Sequence, residues 1–254
     1  MEHDDDTVRA FNRFEVKYLL GLKQAERVKA AVRLYMREDK HGRSNGRYTL
    51  VSIYYDSPDL RCYQEKINGV RVRRKLRMRY YETDGVITDD TPVFLEIKQR
   101  VDRVTQKRRV VLPYAQALRL CNDRQLVSVE LDDQPVIDEI YAFLWRYDLR
   151  PVSLVRYQRL AFVGGELDLG TRVTFDTSLS FQAQQLDLHE QPFTLPMLRA
   201  DQVVLEVKVN ERMPSCLAGI IAFHNRRPQG ISKNTRSIQA ATDMPAAACG
   251  TPAT

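Results

Sequence analysis

Cysteine, histidine and long apolar runs are scarce in this chain of 254 residues. Each scarcity removes a class of function. The four cysteines, Cys62, Cys121, Cys216 and Cys249, lie far apart and form no C-x-x-C. That spacing gives neither a disulfide framework nor a zinc centre, and it suits a reducing cytosol. His41 and His189 read as loop residues, and His224 in "AFHNRRP" as a helix-end residue beside cations rather than a base. No P-loop and no nucleophile paired with a base stands out, so ATP hydrolysis of the Walker type has no support. No apolar run nears the ~18 residues of a membrane span, and no signal peptide opens the chain. Linkers rich in Pro, Gly or Ser are missing until "MPAAACGTPAT" at the C-terminus. The expected organisation is therefore an acidic tail over 1–10, one domain over 11–240 and a loose tail over 241–254.

What the chain has in quantity is positive charge. Lys and Arg number 39 against 33 Asp and Glu, for a net charge of +6, with an ordinary apolar fraction of 43%. This balance points to an anionic partner: nucleic acid, an anionic membrane or a phosphate compound. The cations concentrate in "VRVRRKLRMRYYE", Val70 to Glu82. Alternate positions along a strand face opposite ways, so Arg71, Arg73, Lys75, Arg77 and Arg79 share one face over about 27 Å. The other face carries Val70, Val72, Leu76, Met78 and Tyr80, with Arg74 as the exception.

Similar alternation marks "RFEVKYLL", "YTLVSIYYD", "PVFLEIKQRV", "RVTQKRRVVL", "PVSLVRYQRLAFVG", "TRVTFDTSLSF" and "VVLEVKVN" as strands. "LKQAERVKAAVRLYM", "PYAQALRL", "PVIDEIYAFLWRYD" and "PSCLAGIIAFHNRR" have helical spacing, two of them with Pro near the start. Asn68-Gly69 signals a turn into the basic strand. "GISKNTRSIQ" closes the ordered part without an assigned element. About eight strands with antiparallel-style connections result, an α+β chain. Two architectures fit: a flat sheet with a charged outer face, or an antiparallel β-barrel with a charged bore and helices packed outside. A face of only Arg and Lys repels itself unless an anion sits among them, which favours the bore.

Glu-x-Lys recurs in three strands: Glu15 with Lys17, Glu96 with Lys98, and Glu206 with Lys208. Lys107 and Arg109 share a face and extend the basic set, and Asp176 is a candidate supporting carboxylate. A nucleic-acid surface would mostly avoid carboxylates, which repel phosphates. A site for a phosphate chain with a divalent metal needs both charges. Carboxylates hold Mg²⁺ or Mn²⁺ through hard oxygen contacts, while Lys and Arg neutralise the remaining phosphate oxygens.

These residues resemble a known family. "RFEVKYLL", "KLRMRYYE", "FLEIKQR", "YQRLAF", "RVTFDT", "LEVKV" and "GISKNTR" fall in the order of the VTC domain, the polyphosphate polymerase module of the vacuolar transporter chaperone complex. That domain is one of the triphosphate tunnel metalloenzymes, the CYTH-like superfamily. The resemblance runs from about Phe11 to Gln239. It implies an eight-stranded antiparallel β-barrel forming a tunnel with surrounding helices. It also implies ATP, triphosphate or polyphosphate as ligand, and Mn²⁺ or Mg²⁺ as cofactor. By motif, Lys17, Arg77, Arg79, Lys98, Arg159 and Arg172 match the family's basic positions, Glu206 its metal ligand, and Ser232 with Lys233 its late "S-K". Glu15 and Glu96 are further metal-ligand candidates, and Lys75, Lys107, Arg109 and Lys208 further phosphate ligands. Arg156 would replace Arg159 in the opposite register. The chain departs from the pattern at Gly230, where eukaryotic polymerases tend to carry lysine, and at Asn234, where an aromatic residue is common. The resemblance further implies a cytoplasmic, stand-alone bacterial-type member that meets a membrane, if at all, through a protein partner. Polyphosphate synthesis from ATP is the leading function. Triphosphate hydrolysis, a non-catalytic polyphosphate or inositol-phosphate binding module, and an RNA-binding barrel are the competitors.

Overall fold

The computed structural model describes residues 13–39, 46–82, 87–102, 104–165, 170–184, 186–189, 195–210, 213–223 and 232–242. The acidic start, His41, His224, Gly230, Cys249 and residues 243–254 lie outside the described residues. Eight long strands form one antiparallel sheet: β1 (Arg13–Gly21), β3 (Arg47–Asp56), β4 (Val72–Glu82), β5 (Pro92–Val101), β6 (Val104–Pro113), β7 (Arg150–Val163), β8 (Arg172–Gln182) and β10 (Gln202–Asn210). Their order is β1-β10-β8-β7-β3-β4-β5-β6, and the two-residue strands β2 (Arg37–Glu38) and β9 (Leu195–Pro196) pair with β7 and β8.

The turns follow local chemistry. Gly69 adopts φ +68° where the chain turns into β4, a conformation that costs glycine nothing. Asp102 at φ 52° closes the β5–β6 hairpin, where Val101 pairs with Val104. Asp tolerates that region better than most residues.

The period-2 patterns give each strand one apolar and one charged face. The apolar face packs under helices. Leu76, Met78, Leu95, Ile97, Val110 and Leu112 lie with residues of α3 (Tyr114–Cys121) and α4 (Gln134–Arg146). Leu160, Phe162, Val173, Phe175, Leu205 and Val207 lie with α1 (Leu22–Val32) and α5 (Ser215–Phe223). The charged face turns inward. Lys98 on β5 reaches Glu15 on β1 at 3.4 Å, although β1 is one edge of the sheet order and β5 lies next to the other. Only a sheet curled round on its charged face allows that contact. The result is a barrel-like tunnel. Among the described residues no ladder joins the edge strands β1 and β6, so the curl is closed by side chains rather than by backbone pairing.

Two short elements differ from the pattern reading. Arg61–Ile67 forms helix α2, where the sequence showed only a turn signal at its end, and Lys233–Thr242 forms helix α6. α6 packs on the charged face: Ser237 donates to the Ser153 hydroxyl at 2.9 Å, and Ala240 and Ala241 join an interior apolar cluster of Leu50, Tyr54, Val155, Tyr157, Leu179, Phe181 and Val204. Its inward side carries Lys233, Asn234 and Ser237 as well as Ile238, so apolar periodicity is weak.

Candidate functional site

The antiparallel pairing of β1 with β10 sets Lys17 opposite Glu206 and Glu15 opposite Lys208. Two Glu-x-Lys motifs laid antiparallel thus form a checkerboard of alternating charge. Lys17 bonds Glu15 at 2.8 Å and Glu206 at 3.3 Å, and Lys208 bonds Glu206 at 2.5 Å. Burial would push Glu206 up, but Lys208, Lys17, Arg159 and Lys233 hold it well below the usual carboxylate range. Burial and Glu206 would likewise raise Glu15, and Lys17, Lys98 and Lys208 outweigh them. Both carboxylates are therefore ionised. Lys17 gains from Glu206 and Glu15 more than burial removes, so its pKa rises. For Lys208 burial wins, and its pKa falls to about 8.

The opposite wall has less compensation. Register places Lys75, Lys98 and Lys107 side by side across β4, β5 and β6, and Arg77, Glu96 and Arg109 in the next row. Glu96 bonds Arg77 at 2.5 Å and approaches Lys107 at 3.8 Å. Burial opposes the charge of both partners, yet their attraction lowers Glu96 and raises Arg77. Arg109 lies 5.3 Å from the Phe94 ring centroid. Among the described residues Lys75 has no carboxylate within ion-pair distance; it lies 5.8 Å from the Tyr54 ring centroid. Burial, with Lys98 and Arg77 beside it, lowers Lys75 to about 7. Tyr54, raised by burial but surrounded by Arg77, Lys75, Arg79 and Lys233, falls to about 7 as well.

The back wall is held by shared counter-ions and hydroxyls. Asp176 bonds Arg159 at 2.7 Å and Lys233 at 2.5 Å. Burial raises Asp176, and these two cations bring it down below its ordinary value. Arg79 donates to the Ser52 and Tyr157 hydroxyls, both at 3.2 Å. Lys233 sits 4.6 Å from the Tyr157 ring centroid. Arg172 bonds Asp39 at 2.5 Å and the Tyr48 hydroxyl at 2.9 Å.

The interior thus gathers Glu15, Lys17, Lys75, Arg77, Arg79, Glu96, Lys98, Arg159, Asp176, Glu206, Lys208 and Lys233, with Lys107 and Arg109 in the same rows. Arg159 rather than Arg156 points inward, because Arg156 pairs with Glu82 on the outer face at 2.8 Å. The arginine row is shorter than its sequence. Arg71 precedes the strand and pairs with Asp102 at 2.5 Å with its side chain 83% exposed, and Arg73 donates to the Val70 carbonyl at 2.8 Å. Ser232 immediately precedes α6, and its hydroxyl accepts the Thr235 N–H at 3.4 Å. Tyr48, Ser52 and Tyr54 join the inner face, as their alternation in "YTLVSIYYD" allows. Tyr157 was hidden beside the arginines, and Asp39 stands in a connection that carries no periodic signal.

A divalent cation of the Mg²⁺ type needs hard oxygen donors. Among the described residues no group of three Asp, Glu, His or Cys could hold a metal alone. The ionised pair Glu15 and Glu206 offers hard oxygens, and the Thr174 hydroxyl, register partner of Glu206, is buried without a hydrogen-bond partner among the described residues. Mg²⁺ and its like are commonly held by one or two carboxylates together with substrate phosphates. The donor set fits that mode. Glu96 is less suited, because its charged neighbours are Arg77, Arg79 and Lys107 rather than the other carboxylates.

Comparison with known proteins places the sequence. The profile of the VTC domain matches residues 12–242. Subunit 4 of the vacuolar transporter chaperone complex from Trypanosoma brucei brucei is 26% identical over 197 residues, 65% of this chain and 24% of that protein. The chain spans about a quarter of the length of that relative. Among solved structures, a Hippeastrum candidate adenylyl cyclase described as having a dominant triphosphatase activity is similar at 13% identity, TM-score 0.49, over 91% of this chain and 98% of that one. A candidate adenylate cyclase from Vibrio parahaemolyticus is similar at 12% identity, TM-score 0.45, over 90% and 98%.

Among the described residues Asp176 is the one carboxylate within ion-pair distance of the buried Arg159 and Lys233, so Asp176→Asn strands both. The expected loss is about 3–5 kcal/mol of unfolding free energy in urea titration, the range for breaking a buried ion pair. Saturating inorganic triphosphate should restore part of it. A variant as stable as wild type would show that Arg159 and Lys233 do not depend on this carboxylate.

Proposed function

The chain belongs to the VTC domain family, and from that premise we propose that it is a metal-dependent phosphotransferase that moves the γ-phosphate of ATP onto a polyphosphate chain. One observation carries the reading: a curled sheet encloses more cations than carboxylates, with Lys75, Lys98 and Lys107 abreast, and every enclosed carboxylate is held ionised. Buried like charges repel, and a polyanion threaded among them relieves that repulsion. Arg77 and Arg79 present forked donors suited to phosphate oxygens.

The chemistry asks little covalent work of the protein. A terminal phosphate oxygen of the chain attacks the γ-phosphorus, a new P–O bond forms, the bond to the β-phosphate oxygen breaks, and ADP leaves. Catalysis is then positioning and charge neutralisation. Arg77, Arg79, Lys98 and Lys17 bind and orient the phosphates from facing walls. Lys233, anchored by Asp176, and Lys208, anchored by Glu206, neutralise the back of the site. Glu206 and Glu15 would hold Mn²⁺ or Mg²⁺, which when bound offsets charge on the phosphate oxygens. Hydrolysis of triphosphate by water is the second reading. It is favoured by α6 and the interior apolar cluster, which fill part of the space a long chain would need. Purified protein incubated with ATP and Mn²⁺, followed by a gel stained for polyphosphate, tests the proposal. A ladder of chains supports transfer, orthophosphate without chains supports hydrolysis, and neither product overturns both.

Arg77→Ala and Arg79→Ala should each weaken triphosphate binding by about 1–3 kcal/mol in calorimetry, the worth of a charge-assisted contact. Equal affinity in both variants would remove these arginines from the site. Glu206→Gln keeps the shape and loses the charge, so it should abolish Mn²⁺-dependent turnover while anion binding persists; full turnover would shift the metal to other residues.

Affinity should also depend on pH. In the free protein Lys75 gives up its proton around pH 7, whereas a bound triphosphate favours the ammonium form. Binding therefore takes up a proton, is strongest below about pH 7 and weakens as pH rises toward about 9. Lys75→Gln should flatten that slope, and an unchanged slope would assign the proton elsewhere.

A further inference from the structure

Outside the charged interior, α2, the start of β4 and the end of α4 border a half-open recess of about 70 Å³. That is several times the ~10–15 Å³ that admits one water, and it accommodates a tetrahedral oxyanion. Arg61, Arg73, Arg74, Glu65, Phe143 and Tyr147 line it. The Arg74 guanidinium lies 4.5 Å from the Phe143 ring centroid and 5.8 Å from that of Tyr147. Arg61 lies 4.4 Å and Arg146 5.7 Å from the Tyr147 centroid. Arg61, Arg74 and Arg146 thus crowd one tyrosine ring.

Stacking fixes a guanidinium plane without using its N–H donors. The carboxylate in the lining, Glu65, is engaged by Arg61 at 3.0 Å. Among the described residues Arg74 has no carboxylate within ion-pair distance, although it is half-buried. Arg73 donates to the Val70 carbonyl, and burial together with Arg100 lowers its pKa. A half-buried arginine that, among the described residues, lies against aromatic rings without a carboxylate, with further arginines around it, leaves its charge uncompensated. Three arginines lining one half-open recess of this size suit the charge and the tetrahedral oxygens of phosphate.

We propose that this recess is a second binding site, separate from the interior, for a phosphate group borne by a free phosphate or by a lipid headgroup. Arg74 is its central ligand, and Arg61 and Arg73 flank it.

The test is calorimetric titration of the full chain with inorganic phosphate, with folding of each variant checked by circular dichroism and melting. In Arg77→Gln, which weakens the interior site, phosphate binding should persist. Adding Arg74→Gln should lower that remaining affinity about tenfold or more, as loss of a charge-assisted fork does. Should Arg74→Gln melt early, Arg61→Gln, which leaves the Phe143 stack in place, takes its part with the same expectation. Binding absent from Arg77→Gln alone, or indifferent to the recess arginines, overturns the proposal. Sedimentation with phosphatidylcholine vesicles, with and without phosphatidic acid, separates the sources. Arg74-dependent capture that requires phosphatidic acid assigns the headgroup, and soluble binding without such capture assigns free phosphate. Capture that ignores both phosphatidic acid and Arg74, with no soluble binding, also overturns it.

Discussion

Uncompensated positive charge inside a curled sheet is the constraint from which the other features of this protein follow. A lysine such as Lys75, surrounded by protein and other cations, keeps its proton only to about pH 7. The fold tolerates such groups by interleaving Glu15, Glu96, Asp176 and Glu206, each held ionised by at least two cations. The compensation is uneven. β1 and β10 alternate charge almost perfectly, while β4, β5 and β6 set lysine beside lysine. Like charges in adjacent strands are unfavourable, so the β4–β6 wall is the side where an anion gains most.

Much of this was legible in the sequence because a strand has a period of two. The alternation in "RFEVKYLL", "KLRMRYYE", "FLEIKQR" and "LEVKV" already assigned Lys17, Arg77, Arg79, Lys98 and Glu206 to charged faces, and the repeated Glu-x-Lys hinted that these faces meet. The antiparallel register then turned two motifs into a crosswise lattice, which no single strand shows. Other features depended on tertiary placement. Arg71 reads as part of the row but precedes the strand, and Arg159 is separated from Arg156 only by which face of β7 turns inward. Helix α6 has weak apolar periodicity because its buried side holds the polar residues Lys233, Asn234 and Ser237. The roles of Tyr54 and Tyr157 depend on the arginines and lysines that the fold brings around them, which no single strand shows.

The same separation of faces explains the outer surface. Helices α1, α3, α4 and α5 take the apolar side of the sheet, so the strands can devote the other side to charge without losing a core. Where a cation falls on the outer face it must find another partner. Arg156 takes Glu82, Arg108 takes Glu139, and Arg74 takes two aromatic rings. Only the last leaves the charge without a carboxylate.

The account stands or falls on whether the basic rows line an enclosed space that admits a phosphate chain and excludes a duplex. A competition titration with a fluorescent ATP analogue measures this directly. Long-chain polyphosphate should displace the analogue, whereas excess duplex DNA at ~0.15 M salt should not, since a net charge of +6 gives only weak, salt-sensitive contact from outside. Displacement by DNA as effective as that by polyphosphate would mean that the cations face outward, and it would contradict the enclosed-site account.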